Sequence, residues 1–148
     1  RRDPMAMKPF CGYNFADYWS HWLSFSERSQ HLPRIFHVNW FRQDKEGKFL
    51  WPGFGENLRV IRWIIDRCED RADARETPIG FLPNPGDIDI TGLDVPAETM
   101  EALLSVNIDA WQEEMDSVGE YLDSYGERLP AKLRKEHETI VDELKKAV

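Results

Sequence analysis

Within eighteen residues, 40–57, the chain places Trp40, Phe41, Phe49 and Phe54, the glycines Gly53 and Gly55, and then Glu56 and Asn57. Aromatic rings offer stacking planes to a flat heterocycle, and such stacking is worth ~1–3 kcal/mol per base in nucleic-acid binders. Gly53 and Gly55 let the backbone of FLWPGFGEN approach a ligand closely. The Asn57 amide carries both donors and acceptors and can read a base edge. The chemistry these residues suit is recognition of a planar, polar-edged heterocycle such as a nucleobase. The competing reading is an aromatic mini-core beneath a hairpin, since aromatic clusters commonly pack cores. Residue types alone leave both open.

Other candidates are weaker. His21 and His37 fall in no metal-ligand spacing, His137 lies on an acidic helix, and Cys11 and Cys68 are far apart and in no metal pattern. Two unpaired thiols point to a reducing, intracellular setting. There is no GxxxxGK[ST] loop and no GxGxxG in the sequence. No acid–base pair stands out among the many carboxylates. The residues thus supply part of a binding site and no complete catalytic one.

These side chains need elements to position them. Phe15, Tyr18, Trp19, Trp22 and Leu23 recur with helical spacing from about Asn14. IFHVNWF (35–41) is β-branched and aromatic and predicts a strand. DKEGK (44–48) is a turn, and FLW (49–51) a returning strand, so 35–51 reads as a hairpin. A helix follows over about 56–69, with Leu58, Ile61, Ile65 and Cys68 on one face, widened by Val60 and Ile64. TPIGFLP (77–83) reads as one short strand between prolines, NPGD as a turn, and ITGL as strand or loop. Beyond Pro96 the pattern is helical: Met100, Leu103 and Leu104; then Ile108, Trp111, Met115, Val118, Leu122 and Tyr125; then, after Gly126 and Pro130, Leu133, His137, Ile140 and Leu144. The fold class is α/β, short strands and a hairpin followed by a mostly helical C-terminal half. Residues 1–93 would hold the pocket, and 94–148 would be bracing helices.

At 148 residues, with 41% hydrophobic residues, the chain has globular composition. No apolar run is long enough to span a bilayer, and RRDPMAMKPF lacks the apolar stretch of a signal peptide. The sequence opens without methionine, which suggests a piece of a longer polypeptide. Residues 1–60 carry nine Lys/Arg against six Asp/Glu, and residues 61–148 ten against 21. The acidic half argues against nucleic acid or an anionic membrane as partner. The mildly basic half holds the aromatic cluster and suits a small anionic ligand bearing a ring.

RRDPMAMKPFCGYNFADYWSHWL, LPRIFHVNWFRQDKEGKFLWPGFGENLRVIRW and TPIGFLPNPGDIDITGLD resemble the GTP-dependent phosphoenolpyruvate carboxykinases. The resemblance covers essentially the whole chain and is looser in the last helices. It implies an enzyme, cytosolic or mitochondrial and here expected to be cytoplasmic, monomeric when complete. That enzyme converts oxaloacetate and GTP to phosphoenolpyruvate, GDP and CO2 in gluconeogenesis. It also implies manganese in the active site and a second ion, magnesium or manganese, carried with the nucleotide. The guanine pocket would be Trp40, Phe41, Phe49 and Phe54, with the FGEN segment (Phe54, Gly55, Glu56, Asn57) at the base. Phe10 would lie near the active-site lid. The phosphate loop, metal ligands, oxaloacetate-binding arginines, reactive cysteine and lid would lie upstream, in the remaining N-terminal part of the enzyme. No catalytic or metal-binding residue is thus expected in this chain. Two positions depart from the family pattern: Leu58 stands where many members have Ser, and Cys11 where many animal members have Phe. The alternative is a stand-alone, non-catalytic nucleotide-binding or interaction module.

Overall fold

A computed structural model describes residues 7–147. The sequence, with two prolines and a glycine there, reads residues 1–12 as loop; residues 1–6 of that stretch fall outside the described range. The chain divides into two compact units. One is the N-terminal segment up to Pro33 together with Asn107 onward; the other is Arg34–Val106.

The first unit is helical. Helix α1 spans Phe15–Arg28. The Asn14 side chain caps it by accepting from the Ala16 N–H at 2.9 Å, so one donor left over at the helix start is satisfied. Asp17 in the first turn and Arg28 in the last complement the helix dipole. The predicted stripe is buried: Phe15, Ala16 and Trp19 form a core with Leu129, and Tyr18, Trp22, Leu122 and Leu133 pack against it. Trp19 sits 4.8 Å, centroid to centroid, from Tyr125.

Two long helices of this unit, Ile108–Asp123 and Ala131–Lys146, are joined through a 3-10 turn at Gly126–Arg128. Asn107 caps the first of them through the Ala110 N–H. Gly119 allows the close approach of the second: a Cβ there would lie 3.1 Å from the His137 ring. His137 Nε2 bonds the Met115 carbonyl at 2.8 Å, so this histidine joins two helices and is not a solvated residue.

The second unit contains helices α2 (Asn57–Cys68) and α3 (Ala97–Leu104), and an antiparallel pair, β1 (Arg75–Thr77) and β2 (Gly80–Leu82), in register Arg75↔Leu82 and Thr77↔Gly80. Its core is Trp51, Trp63 and Ile88, with Trp40, Val60, Ile64, Met100 and Leu103 around them. Helices with one small hairpin agree with the coarse α/β expectation.

Three expectations change in detail. Residues 35–41 are not a strand: Trp40 and Phe41 form a turn, and the hairpin reduces to one isolated bridge, Gln43↔Phe49. Strand-forming side chains favour extended backbone but do not supply a ladder partner. TPIGFLP is not one strand, because Pro78 and Ile79 turn the chain between β1 and β2. Thr77 Oγ1 donates to the Gly80 carbonyl across that turn at 2.7 Å. In α2 the buried face is Trp63 with Val60 and Ile64, whereas Leu58, Ile61, Ile65 and Cys68 are exposed.

The second unit also carries a pH-sensitive anchor. Asp66 on α2 accepts from Arg62 Nε at 2.8 Å and from Arg71 Nη2 at 2.7 Å, and these bonds hold its carboxyl below the usual range. A depressed native pKa contributes stability that is complete above the unfolded value, ~3.9. That contribution is lost as pH falls through the native value. Urea midpoints should therefore drop on the acid side below about pH 4, and Asp66→Asn should flatten that limb. An identical acid limb in the variant would count against this anchor.

Candidate functional site

The segment 42–50 is folded around Asp44. Its Oδ1 accepts from the Glu46 and Lys48 N–H groups at 2.9 Å each, and Leu50 N–H donates to the Arg42 carbonyl. Gly47, at φ 81°, completes the turn. Arg42 then ties this loop to the end of α3, donating to the Leu103 carbonyl at 3.1 Å and to Ser105. A cation at the C-terminal end of a helix also meets the negative end of its dipole.

This scaffold sorts the rings into two sets. Trp40 turns inward and lies 6.3 Å from Trp51, which is 6% exposed. Phe41 turns outward and meets Phe49 edge to face at 6.0 Å; the two are 72% and 53% exposed. Trp40 and Phe41 thus point to opposite sides, although they lie in a turn and not in a strand. Phe54 is 92% exposed on a 3-10 turn, Phe54–Glu56. The mini-core reading fits Trp40 and Trp51; it does not fit Phe41, Phe49 or Phe54.

Gly53 sets the approach to Phe54 with φ 129° and ψ −173°, a region essentially reserved for glycine. Gly53→Ala is expected to destabilise by ~1–3 kcal/mol from backbone strain alone, since a Cβ there would meet nothing within 4 Å. Chemical denaturation measures this; an unchanged midpoint would refute the strain.

Gly55 lies inside the 3-10 turn, and the Glu56 N–H returns to the Gly53 carbonyl at 3.1 Å. The Glu56 carboxylate does not face outward to a ligand. It accepts from Arg59 Nε at 2.7 Å, and Arg59 also donates to the carbonyls of Asp89 and Thr91. Glu56 therefore ties the start of α2 to the 89–91 segment. Asn57 opens α2, half-buried, and its Oδ1 accepts from the Trp51 indole N–H at 2.9 Å. From the sequence alone Trp51 is only the last residue of the returning strand FLW (49–51). A signal for its bond to Asn57 is its place six residues before an amide, across a Pro-Gly turn.

Phe10 belongs to the other unit. It ends a short 3-10 segment, Lys8–Phe10, and is 89% exposed. Lys8 holds that segment down by placing its ammonium 5.1 Å from the ring centroids of both Tyr121 and Tyr125.

Among the described residues no group of three or more His, Cys, Asp or Glu side chains is placed to hold a metal ion. No helix there is long and apolar enough to cross a membrane. The arrangement sets exposed rings beside an amide, a combination able to stack on and hydrogen-bond to a flat ligand, and Cys11 and Cys68 are unpaired.

The model of the phosphoenolpyruvate carboxykinase C-terminal P-loop domain matches residues 1–143. The chain is 49% identical to a phosphoenolpyruvate carboxykinase [GTP] of Neocallimastix frontalis, with 100% of this chain and 25% of that protein aligned. It is 50% identical to the protein of that name from Chlamydia pneumoniae, over 98% of this chain and 24% of the relative. The Treponema pallidum (strain Nichols) protein is 50% identical over 90% of this chain and 22% of its own length. The chain spans about a quarter of the length of the relatives it matches. With residues 1–143 inside the matched domain and about half of its residues identical to those of such relatives, this chain belongs to the GTP-dependent phosphoenolpyruvate carboxykinase family.

Proposed function

We propose that residues 40–57 hold the guanine of GTP, and that the chain serves an enzyme converting oxaloacetate and GTP to phosphoenolpyruvate, GDP and CO2. The observation that carries this is the combination of three outward rings, Phe41, Phe49 and Phe54, with an amide whose oxygen is already engaged. Rings left in water by the fold are available to stack on a base. Asn57 reads the base edge. Trp40 braces Trp51 from within, and Gly55 with Glu56 shapes the turn that carries Phe54.

The contribution to catalysis is positional. Guanine held at this loop directs the triphosphate toward the rest of the enzyme. There its γ-phosphoryl group passes to the enolate oxygen left when oxaloacetate loses CO2. Fixing the donor in line with its acceptor contributes several kcal/mol to barrier reduction. Manganese in the active site, and magnesium or manganese with GTP, supply charge neutralisation at the phosphates when bound. Their ligands and the phosphate-cradling loop are assigned to the remaining N-terminal part of the enzyme, the partner of this segment. Phe10 is assigned a place near the lid over that active site. The complete protein is read as a cytoplasmic monomer of mixed α/β fold. Residues 34–93 form the pocket, and α3 packs beneath it at Met100 and Leu103.

Trp40 and Trp51 make the test direct. In the intact protein carrying this chain, GDP is expected to change tryptophan emission saturably, and ADP to do so far more weakly. Equal responses to the two nucleotides would overturn the guanine reading.

A further inference from the structure

The bond between Trp51 and Asn57 fixes which way the amide faces. An indole N–H can donate and cannot accept, so the amide atom 2.9 Å from it must be the oxygen. Asn57 Nδ2 then lies on the opposite side of the amide. Among the described residues it donates to nothing. Trp51 is in turn held by the core: it is 6% exposed, clustered with Trp63 and Ile88, with Trp40 tilted 44° against it. The Asn57 backbone is held as well, as the first residue of α2, with its N–H bonded to the Phe54 carbonyl.

Resting on the guanine reading above, we infer that Trp51 is the positioning residue for base specificity. It locks the Asn57 amide with its nitrogen, not its oxygen, presented to the ligand, so the site selects a 6-oxo purine and rejects a 6-amino purine. An unrestrained asparagine is nearly symmetric in shape and presents either its oxygen or its nitrogen by turning over. It would serve adenine's amino group almost as well as guanine's carbonyl. With the oxygen turned to Trp51, adenine's 6-amino group meets the amide N–H donor against donor and leaves both unpaired, the situation in which polar sites discriminate most strongly. Discrimination thus originates in a buried side chain that does not touch the base.

Three nucleotides separate the possibilities in the intact protein. GDP and IDP share the 6-oxo edge, and ADP carries the 6-amino edge. The wild type is expected to bind GDP and IDP at least about tenfold more tightly than ADP. Trp51→Phe keeps a ring in the core and removes the donor. It is expected to reduce the IDP-over-ADP preference about five- to tenfold, the size of one hydrogen bond. A purely structural role would weaken all three nucleotides alike and leave that ratio unchanged. In an Asn57→Ala background, Trp51→Phe should no longer alter the ratio.

Wild-type preference that survives intact in Trp51→Phe overturns this inference and leaves the guanine reading standing. Loss of any preference in the wild type overturns both. Should Trp51→Phe not fold, the Trp51 indole proton resonance decides. It should move upfield in Asn57→Ala, and an unmoved resonance would show that no bond restrains the amide.

Discussion

Phe54→Ala is expected to weaken GDP binding about ten- to a hundredfold, the value of one lost stacking partner. Thermal unfolding should not change measurably. The two halves of that expectation have one cause. Phe54 is 92% exposed on its turn and contributes almost nothing to the core. Exposed substitutions of this kind usually alter stability by no more than about 0.5 kcal/mol. On the proposed reading, a ring that this unit does not use for packing is free to stack on the base. Phe41 and Phe49 lean on each other at 6.0 Å, so alanine at either removes some packing along with the stacking plane. Titration of Phe54→Ala against the wild type, with a parallel melt, is the measurement. Unchanged affinity for GDP would sink the assignment of Phe54.

Trp63 is the opposite case. It is 6% exposed at the centre of the 34–106 unit, and Trp63→Ala is expected to destabilise by ~3–5 kcal/mol through loss of buried area and the cavity left behind. Trp63→Phe should cost much less, about 1 kcal/mol, for a reason beyond its smaller change in volume. The Trp63 indole N–H is buried and lacks a hydrogen-bond partner among the described residues. A buried donor without a partner carries a desolvation penalty, which phenylalanine removes. Denaturant unfolding of both variants checks this. Equal losses for alanine and phenylalanine would show that ring volume does not matter at this position.

The parts of the fold legible in the sequence are those where a single face is apolar. Phe15 to Leu23 and Ile108 to Tyr125 each have one such stripe, and helices form there with Asn14 and Asn107 as caps. On α2 periodicity fails to choose a face. Leu58, Ile61 and Ile65 compete with Val60, Trp63 and Ile64, and apolar residues occupy most of its circumference. The large indole of Trp63 packs inward and the smaller aliphatic stripe stays out. The strand expected over 35–41 rests on residue preference, whereas a ladder needs a partner that only tertiary structure supplies. The 75–82 hairpin does have a local signal, Pro78 followed by Gly80, the preferred residues at the second and fourth positions of a tight turn.

The ring residues of the candidate site are legible by type and spacing. Their division into inward tryptophans and outward phenylalanines is not, because it depends on how Asp44 and Arg42 fold and tether the loop. Glu56 falls by position among the residues expected at the base. Its bond to Arg59 lies only three positions along the chain, yet it becomes informative only once Arg59 is seen to reach Asp89 and Thr91.

The helical unit closes over a long stretch of chain. Arg128 meets Asp17 across 111 positions, and Lys132 meets Glu27 across 105. The aromatic unit, by contrast, is contiguous from Arg34 to Val106. During synthesis α1 therefore emerges before Leu129 and the last helices of this chain, which pack on Phe15 and Trp19. It must wait for the last helices to be translated, while the aromatic loop and its tryptophan core can already assemble. An apolar helix left waiting in this way is a natural substrate for chaperones. Truncation within the final helix should thus harm the first helix of the chain more than the central aromatic unit.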